Sequence, residues 1–329
     1  MKRPLNFNKL LFVGDNHCDH VTPGSRCDNY MLATMDELQE SLEVAREKGV
    51  GAVILLGDLF HRLEVSGECR NGVLRILKCD ENGEKWPFEI FITIGNHDIK
   101  HNIQNLPKSS LGTLIEAGIV QYTEEAPEYG IRFAHFRNSL VDELKAGLME
   151  DHPSPIWSVH GSITLMPYFG DFVVFEELPV APETKLVVAG HIHFPMEQKR
   201  EDGVQFINPG NVGRERATKE NMSRQPQVLY VEHDGKFDNF SYEYIMLKRP
   251  RPADEIFKID EIQARKDDEI DTKEYISQVN QIAVWTDSDD KYEALRVSGR
   301  MKQIDHAVIE LAVETVELVN EERLQKQSI

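Results

Sequence analysis

The chain has 329 residues, 40% of them hydrophobic and 28% charged, with a formal net charge of −19. That length accommodates one large domain with an appendage, or two domains, and no apolar run approaches the ~20 residues a membrane-spanning helix needs. The acidic balance weighs against a broad basic surface that grips nucleic acid by its phosphates, while leaving room for a local basic stripe or for bound cations.

The N-terminus, MKRPLNFNKLLFVGD, carries two early basic residues, but its apolar stretch is short and runs into Asp15. It reads as a first strand, not a signal peptide, and a cytoplasmic protein is expected. The four cysteines, Cys18, Cys27, Cys69 and Cys79, show no CxxC pairing. In a reducing compartment they are expected as free thiols.

Lys9 to Gly14 (KLLFVG) is a buried-strand candidate ending on an acid. From Asp28 to Lys48, Met31, Met35, Leu38, Leu42 and Ala45 recur at helical spacing, and Gly49 closes that helix. GAVILLGD (Gly51 to Asp58) is a continuous apolar strand, Cys69 to Cys79 a helix, and FEIFITIGNHD (Phe88 to Asp98) a third strand. The β–α–β–α–β order implies parallel strands joined by crossover helices. The second half leans towards strands: IRFAHF, IWSVH, DFVVF, KLVVAG, VQFIN, QVLYVE and FSYEYIML. Two sheets packed face to face, with helices outside, are therefore expected.

Near Arg249–Pro250–Arg251–Pro252 the character changes. Residues 251–329 carry 11 basic and 19 acidic side chains, a local net of −8. Ile304, Val308, Leu311, Thr315 and Leu318 mark one face of a long final helix. The expected division is a catalytic domain over 1–250 and a small, mostly helical accessory region over 251–329.

Five segments place Asp, Asn or His directly after an apolar strand, where parallel sheets present a ligand-binding edge. They are Gly14-Asp15-Asn16-His17, Gly57-Asp58-Leu59-Phe60-His61, Gly95-Asn96-His97-Asp98, Val159-His160 and Gly190-His191-Ile192-His193. Five of the 12 histidines, at 17, 97, 160, 191 and 193, lie at strand ends in these segments. Carboxylates and neutral imidazoles suit manganese, iron or zinc. A D-x-H or H-x-H pair on extended chain turns both side chains to one face. Asp58, a single carboxylate ending a buried strand, suits a bridge between two ions. Two such ions ~3.5–4 Å apart activate a water and hold both sides of an in-line displacement at phosphorus.

This ordered set, D-x-H, GD-x-x-H, GNHD, a strand-end His and GH-x-H, resembles the calcineurin-like metallophosphoesterases over roughly residues 8–250. The resemblance implies a four-layer α/β/β/α sandwich. It implies one metal held by Asp15, His17, Asp58 and His193, and another held by Asp58, Asn96, His160 and His191. His97 would be the general acid for the leaving oxygen, with Asp98 orienting its ring. Asn208-Pro209-Gly210 is similar to the family's loop beside the metals.

Within the family, GDLFH resembles the SbcD-type DNA repair and recombination nuclease subunits, in which the histidine matching His61 handles the scissile phosphate. Their loop and long helix after the first ligands include an Arg and an acid corresponding to Arg26 and Asp28. The short 63-residue gap from His97 to His160 is similar to compact phage recombination nucleases. The resemblance implies a Mn²⁺-dependent exonuclease or endonuclease acting on DNA with an SMC-like ATPase of the SbcC type. The final helix then serves as a partner-docking or homodimer surface, or packs on its own domain.

Among the basic side chains near the expected site (Lys199, Arg200, Arg214, Arg216, Lys219 and Arg224), Arg214 and Arg216 are the candidates for phosphate contacts. The alternative activity is a phosphodiesterase or phosphatase for a small or nucleotide substrate, which the acidic charge favours.

Overall fold

The computed structural model describes residues 6–167 and 171–259. The chain divides into two compact units, Met1–Phe257 and Lys258–Ile329. The helix expected over Ile304 to Leu318 lies outside the described residues.

Lys9–Val13 (β1), Tyr30–Lys48 (α1), Ala52–Leu55 (β2), Gly67–Lys78 (α2) and Glu89–Ile92 (β3) make the β–α–β–α–β start. After it come Asn96–Ile99 (α3), Ser110–Glu116 (α4), Glu125–Ala126 (β4), Ile131–Ala134 (β5), Leu140–Lys145 (α5) and Leu148–Asp151 (α6). Ile156–His160 (β6), Ile163–Thr164 (β7), Val173–Val174 (β8), Leu186–Gly190 (β9), Met196–Lys199 (β10) and Gln205–Asn208 (β11) follow. Lys219–Ser223 (α7), Gln227–His233 (β12), Phe240–Met246 (β13) and Ala253–Ile256 (α8) complete the described order.

Local chemistry sets the helix ends. The Asn29 side chain accepts a hydrogen bond from the Leu32 N–H, so α1 begins at Tyr30, two residues later than its apolar spacing suggests. Gly49 closes α1 in the left-handed conformation, with φ 66°. Ser66 caps α2 through the Cys69 N–H. No described helix is long and apolar enough to cross a membrane.

One sheet runs β13-β12-β1-β2-β3, with β1, β2 and β3 parallel and β12 antiparallel to β1. The other runs β10-β11-β9-β6-β5-β4, with β5, β6, β9 and β11 parallel. Strand alternation then sorts the core. Leu10, Phe12, Ile54 and Phe91 of the first sheet meet Ile131, Phe133, Ile156 and Val188 of the second. Their neighbours Leu11, Val53 and Ile92 face outwards onto Leu38 and Leu42 of α1, Val73 of α2 and Leu114 of α4. On the far side, Trp157, Val159 and Val187 pack against Leu140 and Leu144 of α5 and Met149 of α6. The result is the expected α/β/β/α sandwich, each buried large side chain stabilising it by about 1.5–3 kcal/mol.

The short strands β4, β7 and β10 add to those expected, and one expected strand is cut short. DFVVF is a strand only at Val173–Val174 and turns into a 3-10 turn at Phe175–Glu177. The added strand β10 alternates half-buried and exposed side chains (MEQK) on the sheet edge, so it has too few apolar residues to announce itself.

Candidate active site

The parallel strands of both sheets end on the same side, and their exits carry the candidate ligands. Asp15 and His17 follow β1, Asp58 follows β2, and Asn96 and His97 follow β3, while His160 ends β6 and His191 and His193 follow β9. Backbone bonds fasten the loops together. The His17 N–H donates to the Asp58 carbonyl at 2.8 Å, and the Val212 N–H to the Asp15 carbonyl at 2.9 Å. Asn208 holds the GHIH turn, its amide donating to the Ile192 carbonyl at 2.7 Å.

The glycines preceding the ligands are steric requirements. A Cβ on Gly57 would collide with the His160 ring, and one on Gly95 would collide with the Asp58 carboxylate and backbone. His17 (φ 52°), Asp58 (φ 45°) and His191 (φ 83°) all sit in the left-handed region, at about 1–3 kcal/mol each for such residues. The fold thus tolerates local strain in order to converge these side chains.

Two convergent groups result. Asp15, His17 and His193 bring ligand atoms within 4.8 Å of one another, and so do Asp58, His160 and His191. In the first, His17 Nε2 lies 3.0 Å from His193 Nε2, and His193 Nε2 lies 3.5 Å from Asp15 Oδ2. In the second, Asn96 Oδ1 lies 3.1 Å from His160 Nε2 and 2.9 Å from His191 Nδ1. Asp58 Oδ2 faces both groups, 3.8 Å from His17 Nε2 and 3.4 Å from His160 Nε2. Asp58 Oδ1 is already used, accepting from the His97 N–H at 2.8 Å.

This donor set fits a pair of divalent ions. Carboxylate, amide and imidazole atoms crowd together, and while Asp15 Oδ2 accepts from the His191 N–H at 2.9 Å, buried Asp15 Oδ1 has no hydrogen-bond partner among the described residues. Burial lowers His191 to about 3 and His193 to about 4, so both are neutral with lone pairs available. The His160 Nδ1–H donates to the Leu56 carbonyl at 2.8 Å, which leaves Nε2 for a ligand. Cys18, next to His17, turns its sulfur to Asn16 and takes no place in either group. All four cysteines are free thiols.

The same close packing polarises the metal-free site. Burial opposes the charge of Asp58, but His160 and His17 outweigh it and hold this carboxyl far below its usual range. Burial also works against His160, yet the Asp58 charge and hydrogen bond raise it to about 9. Burial, reinforced by the Asp58 charge, pushes Asp15 up to about 7.

His61 and His97 stand together at the rim, ring centroids 4.9 Å apart, and each ring also meets that of His17. These three imidazoles form a further convergent trio, but one nitrogen of His97 is already committed: its Nδ1–H donates to the His61 carbonyl at 2.7 Å. Nε2 has no hydrogen-bond partner among the described residues. The expected Asp98–His97 contact is therefore replaced. Buried Asp98 instead accepts from the backbone N–H groups of Phe60 and Gly95, each at 3.1 Å. It ties the GDLFH loop to the GNHD turn.

Glu215, which motif spacing did not single out, lies with its carboxylate 3.3 Å from His61 Nδ1. Its hydrogen bond, against the effect of burial, raises the His61 pKa. Burial opposes the charge of Glu215 too, but His61 and His17 bring it down to about 2. The signal was the acid inside GRERATKE, but only the fold brings it to a histidine 154 residues earlier.

Of the two candidate phosphate arginines, Arg214 is a correction. It is 3% exposed, its guanidinium donates to the Arg251 carbonyl, and it lies in a buried cluster with Arg26, Glu37 and Arg224. Arg26 is in turn bidentate to Asp28 and donates to the Arg214 carbonyl. Arg216, two residues on, points the other way: its side chain is 80% exposed and its Nε lies 3.3 Å from Glu215. Arg200 and Arg224 are spent on internal partners, and the side chain of Lys219 is outside the described residues.

A profile of the calcineurin-like phosphoesterase superfamily domain matches residues 9–228. The DNA double-strand break repair protein Mre11 of Methanopyrus kandleri is 25% identical over 226 residues, covering 62% of this chain and 48% of that protein. The chain thus spans about half the length of this relative. Among solved structures, a dimetal phosphatase from Danio rerio aligns with a TM-score of 0.45 and 13% identity, over 72% of this chain and 95% of the other. A novel archaeal phosphodiesterase aligns with a TM-score of 0.38 and 16% identity, over 73% and 99%. With more than half of its length matched by the family profile and the strand-end candidate ligands gathered into one site, the chain belongs to the calcineurin-like phosphoesterase superfamily.

Proposed function

We propose that the chain is a metal-dependent phosphodiesterase and that its substrate is DNA, hydrolysed as the nuclease subunit of an SbcD-like complex with an SMC-like ATPase. The observation that carries the chemistry is Asp58 Oδ2 facing two convergent ligand groups. The DNA assignment draws support from His61 of GDLFH standing against His17 and His97 and from the similarity to Mre11. Residues 251–329 carry the docking surface for the ATPase or for a second copy.

In this mechanism Asp15, His17, Asp58 and His193 would hold one ion and Asp58, Asn96, His160 and His191 the other, Mn²⁺ being one of the metals that an O/N donor set of this kind accepts. When bound, such a pair supplies an activated water and offsets charge on the phosphate. The protein does the rest. His97, with Nδ1–H fixed on the His61 carbonyl, keeps Nε2 to carry a proton to the leaving oxygen. His61, steadied by Glu215, orients the scissile phosphate, and Arg216 reaches outward for the backbone.

Incubation of the full chain with Mn²⁺ and linear DNA should release nucleotides, and Asp58→Ala should abolish the release. Absence of cleavage both alone and with an SMC-like ATPase would sink the DNA assignment. The net charge of −19 favours a second reading, a small phosphodiester substrate. It predicts saturable turnover of a cyclic nucleotide that competing DNA leaves unchanged. Glu215→Ala should lower kcat by roughly tenfold or more at unchanged metal stoichiometry. An unaltered rate would show that His61 needs no such support.

A further inference from the structure

A groove of about 320 Å³ opens beside His97, the proton donor of the proposed reaction, and a single phosphate does not fill it. Its walls carry Arg62, Leu63, Glu64, Lys100 and His101. Two of these are cations, in a chain whose net charge is −19.

Arg62 is anchored from behind. Its Nε and Nη2 lie 2.8 and 2.5 Å from the Asp19 carboxylate, which is 1% exposed, while 43% of the arginine side chain stays open. A guanidinium held on one edge by a buried acid is a preorganised anion donor on the other. Lys100 is exposed and pairs with no carboxylate within 4.0 Å among the described residues. Glu64, the one acid on the wall, forms no ion pair with either cation among the described residues.

The backbone argues in the same direction. Lys100 (φ 48°) and His101 (φ 61°) are consecutive non-glycine residues in the left-handed region, a rare and strained arrangement that the GNHD turn enforces through the His101 N–H to the Asn96 carbonyl at 2.9 Å. The turn that places Asn96 and His97 thereby also sends the next two residues into the groove. His101 packs edge-on against Phe136 at 5.7 Å, and Phe136 borders the His160 and His191 rings. Leu63 and His101 together offer a half-apolar wall of the kind on which a base stacks.

We propose that this groove is a subsite for the nucleotide that departs with the leaving oxygen, Arg62 and Lys100 taking its next phosphate. The assignment rests on the phosphodiesterase function proposed above. It implies preference for a strand with a second phosphate over an isolated diester.

The test is calorimetric binding of two probes to the Mn²⁺-loaded full chain: a nucleoside 3′,5′-bisphosphate and the matching nucleoside monophosphate. Wild type should bind the bisphosphate about tenfold more tightly, a difference that shrinks with added salt. Lys100→Ala should reduce the ratio to about twofold or less, and Lys100→Arg should restore it. Lys100→Gln provides a second neutral variant if the alanine protein melts early. A ratio near one in wild type, or one unchanged in both neutral variants, overturns the subsite. A Lys100-dependent ratio in a protein that cleaves no DNA upholds the subsite while the nuclease assignment falls, and cleavage of DNA with a flat ratio does the reverse.

Discussion

Asp58→Asn should yield a folded protein that no longer holds two ions and turns over phosphodiesters on the order of 10³-fold more slowly. The asparagine keeps an oxygen where Asp58 Oδ1 accepts the His97 N–H, so the β2 and β3 loops stay joined. What it removes is the charge on the atom that faces His17 and His160 together. Ion-based charge stabilisation amounts to several kcal/mol, and 1.36 kcal/mol is one power of ten. Elemental analysis after saturation with Mn²⁺ gives the stoichiometry, and turnover of a chromogenic diester gives the rate. A variant that retains two ions per chain and the full rate would disprove the bridging role.

The same substitution has a pH signature. In the metal-free protein Asp15 holds its proton up to about 7 and His160 up to about 9, and an ion must displace both. Metal affinity of the wild type should therefore rise with pH up to about 9, with protons released on binding. Burial alone lowers His160, and it is the Asp58 charge that raises it. In Asp58→Asn the His160 proton is already gone above its ordinary range, so the rise between about 6.5 and 9 should flatten. Calorimetry in two buffers of different ionisation heat reads the released protons directly.

The convergence of the candidate ligands was legible in the sequence because each motif obeys a short-range rule. Just past a buried strand comes a glycine whose place has no room for a Cβ, and an acid or an amide follows, as at Gly57-Asp58 and Gly95-Asn96. KLLFVG was legible as a buried strand, and strand alternation then puts Leu10 and Phe12 in one layer and Leu11 in the other. What escaped depends on contacts across the chain. Asp98 adjoins His97 in sequence, yet its oxygens are claimed by Phe60 and Gly95, a choice fixed only once the β2 and β3 loops meet. Arg214 and Arg216 stand two apart in one loop, and the turn between them sends the first into the Arg26–Glu37 cluster and the second into solvent. Glu215, between the two, carries no motif and gains its role only by arriving beside His61.

His97→Ala should behave differently from the bridging variant. Its side chain stands outside both convergent groups that share Asp58, so two ions should still bind, while kcat falls by about 10²–10⁴ as the proton donor is lost. The size of the loss should depend on the leaving group. A nitrophenolate departs without protonation, so a bis(nitrophenyl) phosphate should be slowed far less than a DNA strand, whose alkoxide needs the proton. The ratio of the two losses separates chemistry from architecture. If His97 merely props up the turn, both substrates suffer alike. That uniform loss is what Asp98→Asn should give, since Asp98 holds the loops through Phe60 and Gly95 and touches neither His97 ring nitrogen. Equal losses for both substrates in His97→Ala would remove it from the proton-donor role and leave the half-buried imidazole of His61 as the remaining candidate at that rim.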